Sequence, residues 1–81
     1  MTACAQFEML KPYNPIILDA GIQNKNGDIG ICVKVGGIST VLWDDAKDAR
    51  FEDGWFWTED ENGEWWERFY VRDLEPINKS C

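Results

Sequence analysis

Aromatic rings and carboxylates are concentrated between residues 55 and 70, and this segment is where the sequence has the means for molecular recognition. Trp, Tyr and Arg are the residue types that contribute most to the binding energy of protein interfaces. The pattern therefore predicts a surface that binds a partner protein. Its predicted members are Trp55, Trp57, Glu59, Asp60, Glu61, Glu64, Trp66, Arg68 and Tyr70.

The carboxylates Glu59, Asp60, Glu61 and Glu64 crowd the predicted tip of a hairpin, where like charges that face each other cost stability. A basic partner would explain this crowding. That partner is either a nucleic-acid-binding groove, in which the acids imitate phosphates, or an Arg- and Lys-rich peptide. The alternative is that the charge only keeps the protein soluble. A second acidic set, for which solubility is the favoured interpretation, comprises Asp44, Asp45, Asp48, Glu52 and Asp53.

An aromatic cage is another possible use of the same rings. Trp43 with Trp55 or Trp57, beside a carboxylate such as Glu59, would hold a cationic side chain by cation–π attraction. Small barrels of the Tudor type use this arrangement. A cage requires that three rings converge, which a sequence alone does not reveal.

The residue types needed for catalysis or metal binding are poorly represented. The chain has no histidine, which is the commonest general base and the commonest metal ligand. Cys32 lies within a predicted strand without a histidine partner, and Asp60-Glu61-Asn62-Gly63 lacks the spacing of a calcium loop. We therefore predict a protein that is not an enzyme and that has no metal or other cofactor.

The net charge of −7 lies entirely in the second part of the chain, since 12 of the 15 acidic residues but 5 of the 8 basic ones follow Trp43. This acidity argues against direct nucleic-acid binding, which needs clustered Lys and Arg. No apolar run is longer than that of Ile16-Ile17-Leu18, which is too short to span a membrane. Three cysteines without CxxC spacing or a signal-peptide pattern predict a cytoplasmic protein with reduced thiols. The oligomeric state is left open.

Two hairpins are the clearest predicted elements. Residues 29–36 alternate between apolar and polar or small side chains, which is typical of a strand, and Gly36-Gly37 predicts a tight turn into a strand over residues 38–43. This pairing places Val35 opposite Ile38 and leaves an apolar core face. A further strand is predicted at residues 16–18, followed by a polar loop.

The second hairpin combines a strand over residues 55–59 with one over residues 64–73, joined at Asn62-Gly63. With a two-residue turn, Trp57 faces Arg68 and Glu59 faces Trp66. One face then holds Phe56, Trp65, Phe69 and Val71, diluted by Thr58 and Glu67, and the other holds Trp55, Trp57, Glu59, Trp66, Arg68 and Tyr70. A longer turn with a bulge would shift this register by one residue and exchange members between the faces.

The sequence is consistent with one domain over residues 1–81, made of an N-terminal arm (1–13), a β core (14–77) and a polar tail (78–81). The connection over residues 44–53 is either one short helical turn through Ala49 or an irregular acidic loop. The predicted fold is all-β, apart from that turn, with five antiparallel strands in a small barrel or two packed sheets.

The strand spacing resembles the SH3-like barrel superfold over residues 15–77. The features that carry this resemblance are the strand at 27–36, the Gly36-Gly37 and Asn62-Gly63 turns, and the closing segment Val71–Ile77. The chain lacks the proline-ligand signature of the signalling domains with this fold, so the resemblance implies a fold and not a ligand.

The leading functional expectation is an interaction protein that inhibits or redirects a larger partner by binding its basic surface. In size and acidity the chain is similar to small proteins that phages encode against host defence or host nucleic-acid enzymes, which would place it in the host cytoplasm. One alternative is a ligand-binding module whose Trp face holds a cationic peptide or a small molecule. Another is a structural subunit that docks through its Trp face.

Overall fold

The computed structural model describes residues 1–76, which form one helix and six strands. The helix α1 spans Ala3–Leu10 and is followed by a 3-10 turn over Lys11–Tyr13. The strands are β1 (Ile16–Gln23), β2 (Ile29–Val35), β3 (Ile38–Trp43), β4 (Asp48–Glu52), β5 (Trp55–Glu59) and β6 (Trp65–Tyr70). The predicted tail at 78–81 and the last residue of the predicted β core, Ile77, lie outside the described residues.

The strands form two three-stranded antiparallel sheets rather than one closed barrel. Sheet A has the order β1-β2-β3 and sheet B the order β4-β5-β6, so each is a simple meander. The mostly β prediction is confirmed, whereas the prediction of five strands is wrong because β4 was not expected. Of the two predicted architectures, the part of the chain that the structure describes has two sheets and no closed barrel.

The β2–β3 hairpin has the predicted register, with Val35 opposite Ile38 and Ile31 opposite Leu42. Gly36 and Gly37 have φ angles of 58° and 87°, as a two-residue type I′ turn requires. Alternation and turn chemistry agree here, and this agreement makes the register predictable.

β1 is longer than predicted and continues to Gln23 through a stretch that was expected to be loop. Its pairing with β2 shifts after Ile17 and again after Ala20, which leaves Leu18 and Gly21 without a partner on β2. Gly21 has a φ of 72°, and a residue without a Cβ adopts that angle without strain. Two bulges therefore bend β1 while letting it remain a strand.

Residues 3–10 form a helix where an arm was predicted. Thr2 caps this helix, because its hydroxyl accepts a hydrogen bond from the Ala5 amide at 3.1 Å. The buried Gln6 amide donates to the Trp43 carbonyl at 2.7 Å, and Asp44 Oδ1 accepts from the Ala3 amide at 2.7 Å. These bonds fasten α1 to the end of β3.

The connection at 44–53 was predicted to be either a helical turn or an irregular loop. After its first four residues, it is neither. Residues Asp48–Glu52 form β4, which pairs with β5 so that Glu52 lies opposite Trp55. Asp53 and Gly54, with φ angles of 54° and 82°, form the two-residue turn between the strands. Asp-Gly is a favoured type I′ pair, so this turn adds a third strand to sheet B.

One apolar core joins α1 to both sheets. Its fully buried large side chains include Leu10 from α1, Val33 and Leu42 from sheet A, and Phe56 and Phe69 from sheet B. Because all three elements contribute, neither sheet has a core of its own. Within residues 1–76, no helix has the length and apolar character that crossing a bilayer requires.

Candidate functional site

The β5–β6 turn is organised by one carboxylate. Asp60 Oδ1 accepts hydrogen bonds from the Asn62 amide at 2.8 Å and the Glu64 amide at 3.0 Å, and Oδ2 accepts from the Trp66 indole at 2.7 Å. The indole bond, followed by the Glu64 amide bond, holds the pKa of Asp60 below its usual value. Asp60 therefore has a structural role in the tip where a binding role was predicted.

The turn itself is one residue longer than predicted. The Asp60 amide donates to the Glu64 carbonyl at 2.8 Å, and the Gly63 amide donates to the Asp60 carbonyl at 3.1 Å. Gly63 has a φ of 81°, so Glu61-Asn62-Gly63 forms a three-residue loop with a left-handed last residue. Asn62-Gly63 does mark the turn, but as two of its three residues.

The longer turn shifts the register of the hairpin, and a bulge at Arg68 restores it. Trp55 faces Tyr70 and Phe56 faces Phe69 as predicted. Beyond the bulge the prediction is wrong: Trp57 faces Glu67, Thr58 faces Trp66 and Glu59 faces Trp65. Trp65 and Trp66 consequently exchange faces relative to the expectation.

Nine residues form what we call the outer face of sheet B, the side turned away from the core. They lie in three cross-strand rows, each with one residue from β4, β5 and β6 in turn. The rows are Glu52, Trp55 and Tyr70; Arg50, Trp57 and Glu67; and Asp48, Glu59 and Trp65. Four rings, four carboxylates and one guanidinium therefore share a single surface.

Contacts within the outer face hold several of these groups in place. The rings of Trp55 and Tyr70 lie 5.1 Å apart in a tilted arrangement. The Arg50 guanidinium lies over the Trp65 ring, 4.4 Å from its centroid, and 3.4 Å from a Glu52 carboxylate oxygen. Such packing limits the number of rotamers that these side chains sample, which reduces the entropy lost on binding.

Arg68, which was predicted to belong to the exposed set, instead joins the two sheets. Its guanidinium donates to Thr40 Oγ1 at 3.1 Å and to the Val41 carbonyl, both on β3. Its Nε is buried and has no partner. Burial lowers the pKa of the guanidinium, although Arg remains charged at neutral pH. The bulge places this side chain between β6 and β3.

Trp66 lies on the core side of sheet B but is 51% exposed, because it stands beyond the end of the core. Its indole nitrogen is held by Asp60. Glu61 and Glu64 are exposed at the same tip. Apart from Arg68, the predicted binding residues therefore separate into two groups, one on the outer face and one around the Asp60 turn.

The second acidic set is also dispersed. Asp44 is bound to the amide of Ala3, and Asp48 Oδ1 accepts from the next amide, that of Ala49, at 2.8 Å. Burial, reinforced by the neighbouring Asp28, raises the pKa of Asp45. Of the set, Asp48 and Glu52 lie on the outer face of sheet B, because β4 forms where no strand was predicted.

The predicted aromatic cage requires rings that the fold places on different sheets. Trp43 belongs to β3 and packs against Gly30, where a Cβ would lie 2.7 Å from its ring. Trp55 and Trp57 belong to the outer face of sheet B. In residues 1–76, no ring pair in contact includes Trp43.

A groove of about 380 Å³ lies beside one end of sheet B. Its walls include the rings of Tyr13, Phe51 and Trp55, with the residues Glu52 and Asp53 at the turn between β4 and β5. The Tyr13 and Phe51 rings are 5.6 Å apart, and Phe51 continues to the buried Phe56 at 5.0 Å. The sequence does not predict this groove, because Tyr13 falls in the predicted arm and Phe51 in the predicted connection over residues 44–53.

Among the described residues, no three His, Cys, Asp or Glu side chains lie close enough together to hold a metal ion. No family model matches the chain, and neither a curated protein nor a solved structure is similar to it. The resemblance to the SH3-like superfold and the likeness to phage inhibitors therefore stay predictions. Function is therefore inferred from the geometry of the two sheets.

Proposed function

We propose that this chain is a non-catalytic interaction module that binds a basic surface of a larger protein through the outer face of sheet B and the adjoining Asp60 turn. One observation carries the proposal. The outer face combines four rings with four carboxylates and one Arg, and each of the four rings is partly exposed to solvent. Monomeric proteins rarely leave so many large rings together on one solvent-facing surface.

The mixture of groups on this surface fits a cationic partner. The rings supply apolar area, and their faces attract cations as well. The exposed Glu61 and Glu64 of the turn extend the negative charge beyond the sheet. Complementary charge raises the association rate and selects against acidic proteins as partners.

The proposal extends to inhibition. A nucleic-acid-binding groove is a common basic surface on a larger protein, and a bound acidic module would exclude the nucleic acid from it. This extension rests on the acidity and small size of the chain, which are similar to those of phage-encoded inhibitors. The module would then inhibit its partner only by occupying the groove.

The charge contribution is tested by titrating the Trp fluorescence of the protein with an oligoarginine peptide. The test variant reverses Glu61, Glu64 and Glu67 to Lys and spares Asp60, which holds the turn. The control variant reverses Glu8, Asp73 and Glu75, so both variants have the same net charge. We expect the affinity of the test variant to fall at least tenfold and that of the control to change much less, because only the former alters the site.

The same titration at low and high salt measures how much of the binding affinity is electrostatic. Binding of wild-type protein should weaken steeply between about 50 and 300 mM salt, over which the Debye length shortens from roughly 14 to 6 Å. Equal affinities for the test and control variants would contradict the proposal, since net charge alone would then account for binding. Competition between the protein and DNA for a purified basic nucleic-acid-binding enzyme tests the inhibitory extension.

The second candidate function, a ligand-binding module, is favoured by the groove beside Tyr13, Phe51 and Trp55. Aromatic capture of a ligand there would depend on ring contacts more than on charge. Oligoarginine binding that persists at high salt and is lost on Phe51→Ala would support this function. Oligoarginine binding that is lost at high salt and survives Phe51→Ala would support the interaction module.

A further inference from the structure

The Trp65 ring on the outer face of sheet B already holds a cation. The guanidinium of Arg50 lies over this ring, 4.4 Å from its centroid, and one of its nitrogens is 3.4 Å from a Glu52 carboxylate oxygen. Stacking on a ring and pairing with a carboxylate are the two contacts by which proteins recognise arginine. The outer face therefore contains a guanidinium site whose occupant belongs to the same chain.

Arg50 reaches this site across an intervening strand. Its cross-strand neighbour is Trp57 on β5, whereas Trp65 belongs to β6. The Trp57 indole is engaged elsewhere, because its nitrogen donates to the Glu52 carbonyl at 2.9 Å. Extending a long side chain over β5 restricts its rotamers, which costs conformational entropy. The attraction of the Trp65 ring and the Glu52 carboxylate for a guanidinium offsets this cost.

Arg50 is held weakly enough to exchange with another guanidinium. The side chains of Arg50 and Glu52 are 52% and 50% exposed, and solvent screens the attraction between exposed ions. A cation over an exposed ring favours the stacked position by only about two- to fivefold. A guanidinium that belongs to a partner and brings further contacts can therefore replace Arg50.

We propose that Trp65 and Glu52 form the subsite for an arginine side chain of the partner, and that Arg50 occupies this subsite until the partner binds. This inference rests on the proposed function, because it assigns a ligand to a position on the same outer face. Arg50 then acts as an internal competitor, which lowers the affinity for single cations and favours partners that present several arginines.

The carboxylates around the subsite suit a cationic ligand. Asp48 and Glu59 share the cross-strand row of Trp65, and Glu67 lies two residues away on β6. The outer face has four carboxylates and one guanidinium, so it keeps a negative charge while Arg50 occupies the subsite. That charge attracts a second cation to the position that Arg50 holds.

The subsite should prefer arginine to lysine. A guanidinium is planar and weakly hydrated and stacks on a ring, whereas an ammonium group is compact and strongly hydrated. We therefore expect oligoarginine to bind more tightly than oligolysine of the same length, and Trp65→Leu to remove most of this preference. The matched control is Trp55→Leu on the same face, because that ring packs against Tyr70 at 5.1 Å and should leave the preference in place.

Removing the internal competitor tests the subsite directly. Oligoarginine should bind Arg50→Gln about two- to fivefold more tightly than the control Lys25→Gln. Both residues are exposed and both changes remove one positive charge, but Lys25 lies in the turn between β1 and β2 of sheet A. The two variants should bind oligolysine alike. Binding of oligoarginine to Arg50→Gln that is no tighter than to Lys25→Gln overturns the proposal.

Displacement of Arg50 is visible in the arginine Nε–H signals of isotope-labelled protein, to which an unlabelled peptide adds no signal. The chain has three arginines, and the Arg50 signal is the one that disappears in Arg50→Gln. In the free protein, the ring current of Trp65 should shift this signal upfield. Saturating oligoarginine should return it to the position of a solvated arginine, and a signal that stays shifted at saturation overturns the displacement.

The outcomes distinguish a failure of the subsite from a failure of the proposed function. Oligoarginine binding that is lost on reversal of Glu61, Glu64 and Glu67 but is the same for Arg50→Gln and Lys25→Gln contradicts the subsite alone. Binding to Arg50→Gln without binding to wild-type protein supports the subsite and contradicts the proposed function. The absence of binding to either contradicts both. Circular dichroism verifies that each variant folds.

Discussion

Sheets A and B have the same topology but present different chemistry to solvent. Each is a three-stranded antiparallel meander whose inner face contributes to one shared core. Sheet A belongs to the neutral part of the sequence and exposes an aliphatic edge at β1. Sheet B belongs to the acidic part and exposes rings and carboxylates on its outer face, with charged residues in its edge strands.

The difference shows how a small domain separates two kinds of surface. Apolar groups drive association without regard to charge, whereas carboxylates select a cationic partner and repel other acidic molecules. The aliphatic side chains are exposed on sheet A, whereas the carboxylates share sheet B with aromatic rings.

The largest effect is expected where the two sheets share their core. Phe56 is fully buried between them, whereas its cross-strand neighbour Phe51 is 41% exposed. Phe56→Ala should lower the free energy of unfolding by about 3–5 kcal/mol, which is close to the whole stability of so small a domain. Phe51→Ala, the control, should cost about 1 kcal/mol. Urea denaturation measures both, and equal costs would show that the core does not centre on Phe56.

An intermediate effect is expected at the link between the sheets. Arg68→Ala removes the hydrogen bonds to Thr40 and Val41 and should cost about 2 kcal/mol. Arg50→Ala, which removes the exposed guanidinium over Trp65, should cost no more than about 1 kcal/mol.

Hydrogen exchange of β3 amides shows whether the loss at Arg68 loosens the contact between the sheets. A buried charge can also cost more than it contributes. An Arg68→Met variant that is more stable than the wild type would therefore contradict a stabilising link.

The smallest effect concerns pH, and its sign differs between two carboxyls. The folded-state pKa of Asp45 is raised, so its contribution to stability is full below the unfolded pKa and is lost as pH rises through the folded pKa. The folded-state pKa of Asp60 is lowered, so its contribution is present above the unfolded pKa and is lost as pH falls through the folded pKa.

Thermal unfolding between about pH 2 and 7, a window on both sides of the ordinary carboxyl pKa, should separate the two carboxyls. Asp45→Asn removes the decline in melting temperature as pH rises and should slightly stabilise the protein at pH 7. Asp60→Asn removes the decline in melting temperature as pH falls and destabilises the tip. If both variants changed the slope of melting temperature against pH in the same direction, the environment of one carboxyl would differ from that described.

The predictable parts of the fold are those where local signals agree. In β2–β3, the alternation of side chains and the Gly36-Gly37 turn point to one register, and that register is observed. In β5–β6, Asn62-Gly63 marks the turn correctly but fits both a two-residue and a three-residue loop. The choice depends on hydrogen bonds from the Asp60 side chain, which strand patterning does not encode.

Two elements were missed for different reasons. β4 carries three charges in five residues and resembles a solvated loop, although its Asp53-Gly54 turn is a hairpin signal. In α1, Ala3, Phe7 and Leu10 have helical spacing and Thr2 is a favourable cap, so the signal was present but short. Of the predicted site, the acidic and aromatic character was predictable, whereas the exchange of Trp65 for Trp66 follows from the three-residue turn.

The Arg68 guanidinium on the Val41 carbonyl has a consequence for polymerisation. Sheets that grow into fibrils need two free edges, one for each incoming molecule. In sheet A, the Val41 carbonyl on the edge strand β3 is bound by Arg68 from within the same molecule, so an incoming strand cannot pair at that residue without displacing the guanidinium. One of the two edges that a growing stack of this sheet would need is therefore obstructed at Val41.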